Sequence, residues 1–124
     1  MNKYGILGWP LERSYSPIIH TFLLKHASIE GKYELIRMNE INNKNIDQIN
    51  KSYSGYNVTI PYKEKILEVC EGAYLDVHVK KIGSVNTVNN KDGITSFYNT
   101  DYLGLLNFFE IINFNPEGRK IMIL

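Results

Sequence analysis

Apolar residues recur along this chain at two spacings, and the switches between them mark out the elements. Tyr4 to Gly8 is a compact apolar run closed by Gly8-Trp9-Pro10, which predicts a first strand ending in a turn. After a polar stretch, Ser16-Pro17 supplies an N-cap residue followed by a proline at the first helical position, and apolar residues continue through Leu24. Lys32 to Met38 alternates as a second strand, Asn43 to Tyr53 places Ile46 and Ile49 at helical spacing, and Gly55 to Ile60 reads as a third strand. Pro61 opens a helix reaching Glu71, and Tyr74 to Ile82 reads as one more short helix. Gly83 then breaks the chain.

Ser84 to Asn89 pairs with Ile94 to Tyr98 as an antiparallel hairpin across an Asn-Lys-Asp-Gly turn. Asn99-Thr100 caps a helix through Asn113 in which Leu103, Leu106 and Phe109 recur at helical intervals. Strands alternating with helices predict an α/β domain: a mostly parallel sheet with one antiparallel hairpin strand, and helices on both faces. Beyond the break at Asn115-Pro116-Glu117-Gly118, Arg119 to Leu124 reads as a buried strand that nothing follows. Such a strand commonly precedes a glycine-rich dinucleotide turn in doubly wound folds, although no G-x-G-x-x-G occurs in the sequence. The expected organisation is a substrate-side domain over 1–99, a linker helix and turn over 100–118, and over 119–124 the first strand of a truncated Rossmann domain. A terminal strand added to the first sheet is the alternative.

Composition narrows the function classes. The 124 residues suit one ordinary domain, and 44% hydrophobic with 22% charged residues is a globular balance. A net charge of +1 supplies no basic field for nucleic acid or an anionic membrane. Cys70 is the only cysteine, which leaves no internal disulfide, and no partners for a metal role accompany it. With no signal-like segment at Met1-Asn2-Lys3 and no apolar run of membrane-spanning length, the expected setting is cytoplasmic.

Candidate chemistry gathers where strands end and helices begin, the edge at which open α/β sheets bind ligands. Lys63 falls in the first turn after Asn57-Val58-Thr59-Ile60-Pro61, where the helix dipole disfavours a cation. Its placement marks it as an acid/base group unless it is simply solvated. Ser14 and Ser16, with the N–H groups of a helix start, suit a carboxylate, while capping by Ser16 needs no ligand. Asn57 and Thr59 accompany Lys63. Asn86-Thr87 offers an amide to a vicinal diol, or else an anchor to a neighbouring loop. Asp101 sits in a first helical turn that favours an anion, a place capping alone also explains.

Taken in order, Gly8-x-Pro10, Ser14-x-Ser16-Pro17-x-x-His20, Asn57-Val58-Thr59-x-Pro61-x-Lys63, Gly83-x-Val85-Asn86-Thr87 and Asn99-Thr100-Asp101-x-x-Gly104 resemble the successive signatures of the shikimate dehydrogenases. The resemblance covers essentially the whole chain as the family's N-terminal, substrate-binding domain. It implies that Ser14 and Ser16 bind the substrate carboxylate, and that Asn57, Thr59, Asn86 and Asp101 lie around the ring hydroxyls. It also implies that Lys63 and Asp101 form the catalytic pair. The implied reaction is the reversible NADP-linked reduction of 3-dehydroshikimate to shikimate in aromatic amino acid biosynthesis. No cofactor-binding residue and no metal ligand is expected among these residues, so the chain alone is expected to be inactive.

The sequence departs from the family at two places. Phe97 and Tyr102 stand where glycine is usual, adding bulk beside the site and bearing on pocket shape. The family's C-terminal glutamine, which completes the substrate site, has no counterpart. A quinate/shikimate dehydrogenase of broader range and a non-catalytic shikimate-binding module are the alternatives.

Overall fold

The computed structural model describes residues 1–123. Its elements are β1 (Asn2–Gly8), α1 (Ser16–His26), β2 (Gly31–Arg37), α2 (Asn43–Ser52), β3 (Gly55–Val58), α3 (Tyr62–Val69), β4 (Tyr74–Leu75), α4 (Val77–Ile82), β5 (Thr87–Lys91), β6 (Ile94–Tyr98) and α5 (Thr100–Ile111). The strands form one six-stranded sheet in the order β2-β1-β3-β5-β6-β4. Among the described residues β5 alone runs against the others, antiparallel to both β3 and β6, while the remaining pairs are parallel. The expected α/β sheet with a single reversed hairpin strand is therefore what the chain forms.

Successive residues of a strand face opposite sides of a sheet, and the two cores follow from that. Leu7, Ile36, Val58 and Phe97 pack on one face with Ile46 and Ile49 of α2, Ile66 of α3 and Val79 of α4. Ile6 and Tyr33 turn to the other face, where Leu24 of α1 covers them with Leu11. Each fully buried aliphatic or aromatic side chain contributes about 1.5–3 kcal/mol, so the first cluster carries most of the stabilisation. Gly5 is required between these layers: a Cβ there would stand 2.7 Å from the Glu34 carbonyl oxygen and 2.9 Å from the Ile36 side chain.

Helix starts are fixed locally. α2 begins with a reciprocal capping box in which Asn42 accepts from the Asn45 N–H at 3.0 Å and Asn45 accepts from the Asn42 N–H at 2.8 Å. α4 is capped by Asp76, whose carboxylate accepts from the His78 N–H at 2.9 Å, and ends on left-handed Gly83 at φ 72°.

Several boundaries differ from the sequence expectation. Ser16 is the first residue of α1 rather than its cap, and its N–H donates to the Ser14 hydroxyl at 3.1 Å. Pro61 precedes α3 as its N-cap residue instead of opening it. Tyr74–Leu75 is an edge strand paired to Ser96 and Phe97, because the hairpin presents β6 as a template that local pattern does not reveal. The hairpin turn is also tighter than expected, with β5 reaching Lys91 and only Asp92 and Gly93 at positive φ, 52° and 78°.

The largest differences lie near the C-terminus. α5 buries none of its residues, Leu103 and Leu106 included, since no described element covers it. Residues 119–123 form no strand: Ile121, Met122 and Ile123 are exposed, and a strand needs a neighbour to take its backbone hydrogen bonds. Leu124, the last residue of the expected strand, lies outside the described residues.

Candidate functional site

α1, α3 and α5 start beyond the carboxyl ends of β1, β3 and β6, and reversed β5 begins at that same edge. One edge of the sheet thus collects Ser14, Ser16, Asn57, Thr59, Lys63, Asn86 and Asp101, where ligands of open α/β sheets bind. Hydrogen bonds run from Tyr33 through Asn57 to Asn86 and Thr100, and a separate ion pair joins Lys63 to Asp101.

Behind α1 the Tyr33 O–H donates to Asn57 Oδ1 at 2.6 Å. The Tyr33 ring stacks on His20 with centroids 4.2 Å apart and planes 5° from parallel. Burial pushes the Tyr33 phenol well above its ordinary pKa, opposed by the Ser16 hydroxyl, and burial pushes His20 below its own. Asn57 Nδ2 then donates to the Asn86 carbonyl at 3.3 Å and to Thr87 Oγ1 at 3.4 Å.

Asn86 and Asn99 are the two buried polar residues among those described. Asn86 Oδ1 accepts from the Thr100 N–H at 2.8 Å and from the Thr87 hydroxyl at 2.9 Å, while Nδ2 donates to Thr100 Oγ1 at 2.8 Å. The amide is therefore engaged in anchoring the start of α5, the structural role that the sequence left open for it. Asn99 caps the same helix by accepting from the Tyr102 N–H at 3.0 Å, and donates to the Ser84 carbonyl at 2.9 Å.

Lys63 and Asp101, the residue after Thr100, form an ion pair of 2.6 Å, their side chains 37% and 60% exposed. An exposed pair of this kind contributes about 0–1 kcal/mol, so stability does not explain it. Asp101 offsets the dipole penalty on Lys63, and each sits in the first turn of its helix. Lys63 also borders an open hollow of 370 Å³ with Ile60, Pro61, Glu64 and Ser84. Its carbonyl accepts from the Val85 N–H at 2.7 Å, fixing α3 against the approach to β5. Thr59 reaches the edge through its backbone, bonded to Leu7 and Tyr62, with its methyl packed toward Gly8. Among the described residues its hydroxyl joins none of these bonds.

The two bulky departures do not fill the site. Phe97 is fully buried in the main core, and the Tyr102 ring packs on His78 at 5.0 Å. A hollow of 510 Å³ around Asn50, Cys70 and Asn90 lies at the opposite end of the strands and contains none of the candidate residues. Tyr33 and Thr100 escaped the sequence reading. Tyr33 looks like any alternating strand residue, and Thr100 was legible only as part of the Asn99-Thr100-Asp101 cap.

A mixed α/β sheet with serine, asparagine, lysine and aspartate side chains converging on its carboxyl edge defines a domain of the small-molecule-binding class. The profile of the shikimate dehydrogenase substrate-binding domain matches residues 6–88. The chain belongs to that family. It is 37% identical over 126 aligned residues to the NADP(+) shikimate dehydrogenase of Clostridium perfringens, covering 100% of this chain and 46% of that protein. The fold superposes on shikimate dehydrogenase 1 of Peptoclostridium difficile with TM-score 0.82 and 33% identity, covering 95% of this chain and 44% of that one. It superposes similarly on the Thermus thermophilus enzyme in complex with NADP(H) and shikimate, with TM-score 0.80 and 30% identity over 91% of this chain and 43% of that one. The chain thus spans a little under half the length of these relatives.

Proposed function

We propose that this chain is the substrate-binding portion of an NADP-dependent shikimate dehydrogenase, reversibly converting 3-dehydroshikimate to shikimate in the cytoplasm. The observation that carries the reading is the 2.6 Å Lys63–Asp101 pair, exposed at the edge where Asn57 and Asn86 also converge. Ser14 and Ser16, at the start of α1, hold the substrate carboxylate with the help of the helix N–H groups. Asn57, Thr59 and Asp101 meet the ring hydroxyls, and Asn86, whose amide also anchors α5, does so through its second Nδ2 proton. Lys63 gives a proton to the carbonyl oxygen as it becomes an alkoxide and takes one back in reverse, while Asp101 holds the ammonium in place.

We assign NADP to sequence other than that described, a reading that coverage of only 46% of the NADP(+) relative supports. The uncovered apolar residues of α5 and of 119–123 fit the same organisation: a linker over 100–118 and the start of a Rossmann unit over 119–124. No helix among the described residues is long and apolar enough to cross a membrane.

Titrating shikimate into the chain tests the reading. The unsubstituted chain is expected to bind, and Ser16→Ala to weaken binding about tenfold, the loss of one hydrogen bond to a charged group. No binding by the unsubstituted chain, or equal binding by both, would sink the assignment.

A further inference from the structure

Tyr33 has no part in the chemistry proposed above, yet its hydroxyl bonds the β3 asparagine of the site and its ring stacks on His20 of α1. Its phenol carries one proton and gives it to Asn57 Oδ1 at 2.6 Å. The orientation of that carboxamide follows from its other end, because the Asn86 carbonyl on that side can only accept. Asn57 consequently turns its N–H donors toward Asn86 and Thr87 and keeps its oxygen turned to Tyr33. The two bonds those donors make, 3.3 Å to the Asn86 carbonyl and 3.4 Å to Thr87, are long and readily yielded to a better acceptor. The His20 ring, stacked at 4.2 Å, holds the phenol plane. A hollow of 310 Å³ that His20, Tyr33, Asn57 and Thr87 border runs from them toward Leu24 and Ile29.

We infer that Tyr33 is a positioning residue that locks the Asn57 carboxamide as a donor, so that this part of the site selects a ligand oxygen able to accept a hydrogen bond. The inference rests on the substrate reading only for its ligand half. The lock is a property of the unliganded chain. Burial keeps the phenol protonated, as the lock requires.

Tyr33→Phe tests both halves, since it keeps the ring and its stack on His20 while removing the proton. In nuclear magnetic resonance spectra of the unliganded chain, the Asn57 side-chain amide pair is expected to shift and its two protons to exchange places faster in Tyr33→Phe, with backbone signals of the core unchanged. Unaltered Asn57 side-chain signals overturn the lock. Shikimate affinity is expected to fall about tenfold in Tyr33→Phe, and Asn57→Asp, which still accepts from Tyr33 but cannot donate, is expected to bind no better. Equal affinity of Tyr33→Phe and the unsubstituted chain overturns the specificity role while leaving the substrate reading standing. Failure of the unsubstituted chain to bind overturns the substrate reading and the ligand half together, and the unliganded spectra then decide the lock by themselves.

Discussion

Asn86→Ala is expected to destabilise the chain by about 2–3 kcal/mol, although asparagine to alanine is a small change in volume. Asn86 is only 7% exposed, and its amide makes three short bonds: 2.8 Å from the Thr100 N–H, 2.9 Å from Thr87 and 2.8 Å to Thr100 Oγ1. Three neutral hydrogen bonds at about 0.5–1.5 kcal/mol each set the upper range, and water reaching the exposed Thr100 lowers it. The Lys63–Asp101 pair is as short, at 2.6 Å, but exposed. Lys63→Met should therefore change stability by less than about 1 kcal/mol. Urea unfolding followed by far-ultraviolet circular dichroism measures both, and hydrogen exchange at Thr100 and Tyr102 should accelerate in Asn86→Ala. A loss below about 0.5 kcal/mol, within the range of an inconsequential surface change, would refute the argument that Asn86 anchors α5.

Gly5→Ala should cost about 1–3 kcal/mol by the same assay, because the added Cβ meets the Glu34 backbone carbonyl at 2.7 Å and something in the β1–β2 pair must shift; an unchanged unfolding midpoint would count against that crowding. His20 should titrate below the ordinary histidine value of about 6.5 in an imidazole titration. Its folded pKa is the lowered one, so the neutral ring's contribution is complete above the unfolded value and declines as pH falls through that value to the folded one. His20→Gln should flatten stability against pH over that window, and a titration midpoint at or above the ordinary value would contradict the burial argument.

The sequence determined what local physics can carry. Alternation and helical spacing placed most of the strands and helices, and the Asp92-Gly93 turn announced the hairpin. The order of motifs from Ser14 to Asp101 named the family, since each side chain has to stand at a strand end or a first helical turn. Tertiary structure decided the rest, because it depends on which distant segments meet. Tyr74–Leu75 became a strand only because β6 offers an edge, and β5 reversed direction only between β3 and β6. Read along the chain, phenylalanine in place of glycine at position 97 adds bulk to the site, and burial of Phe97 in the core takes that bulk away from it. The same holds for Tyr33, 24 positions from Asn57, where a 2.6 Å bond turns an ordinary strand tyrosine into part of the site. Periodicity reports which face a residue takes, whereas contact across the sheet fixes which groups it can hold and in which direction the proton points.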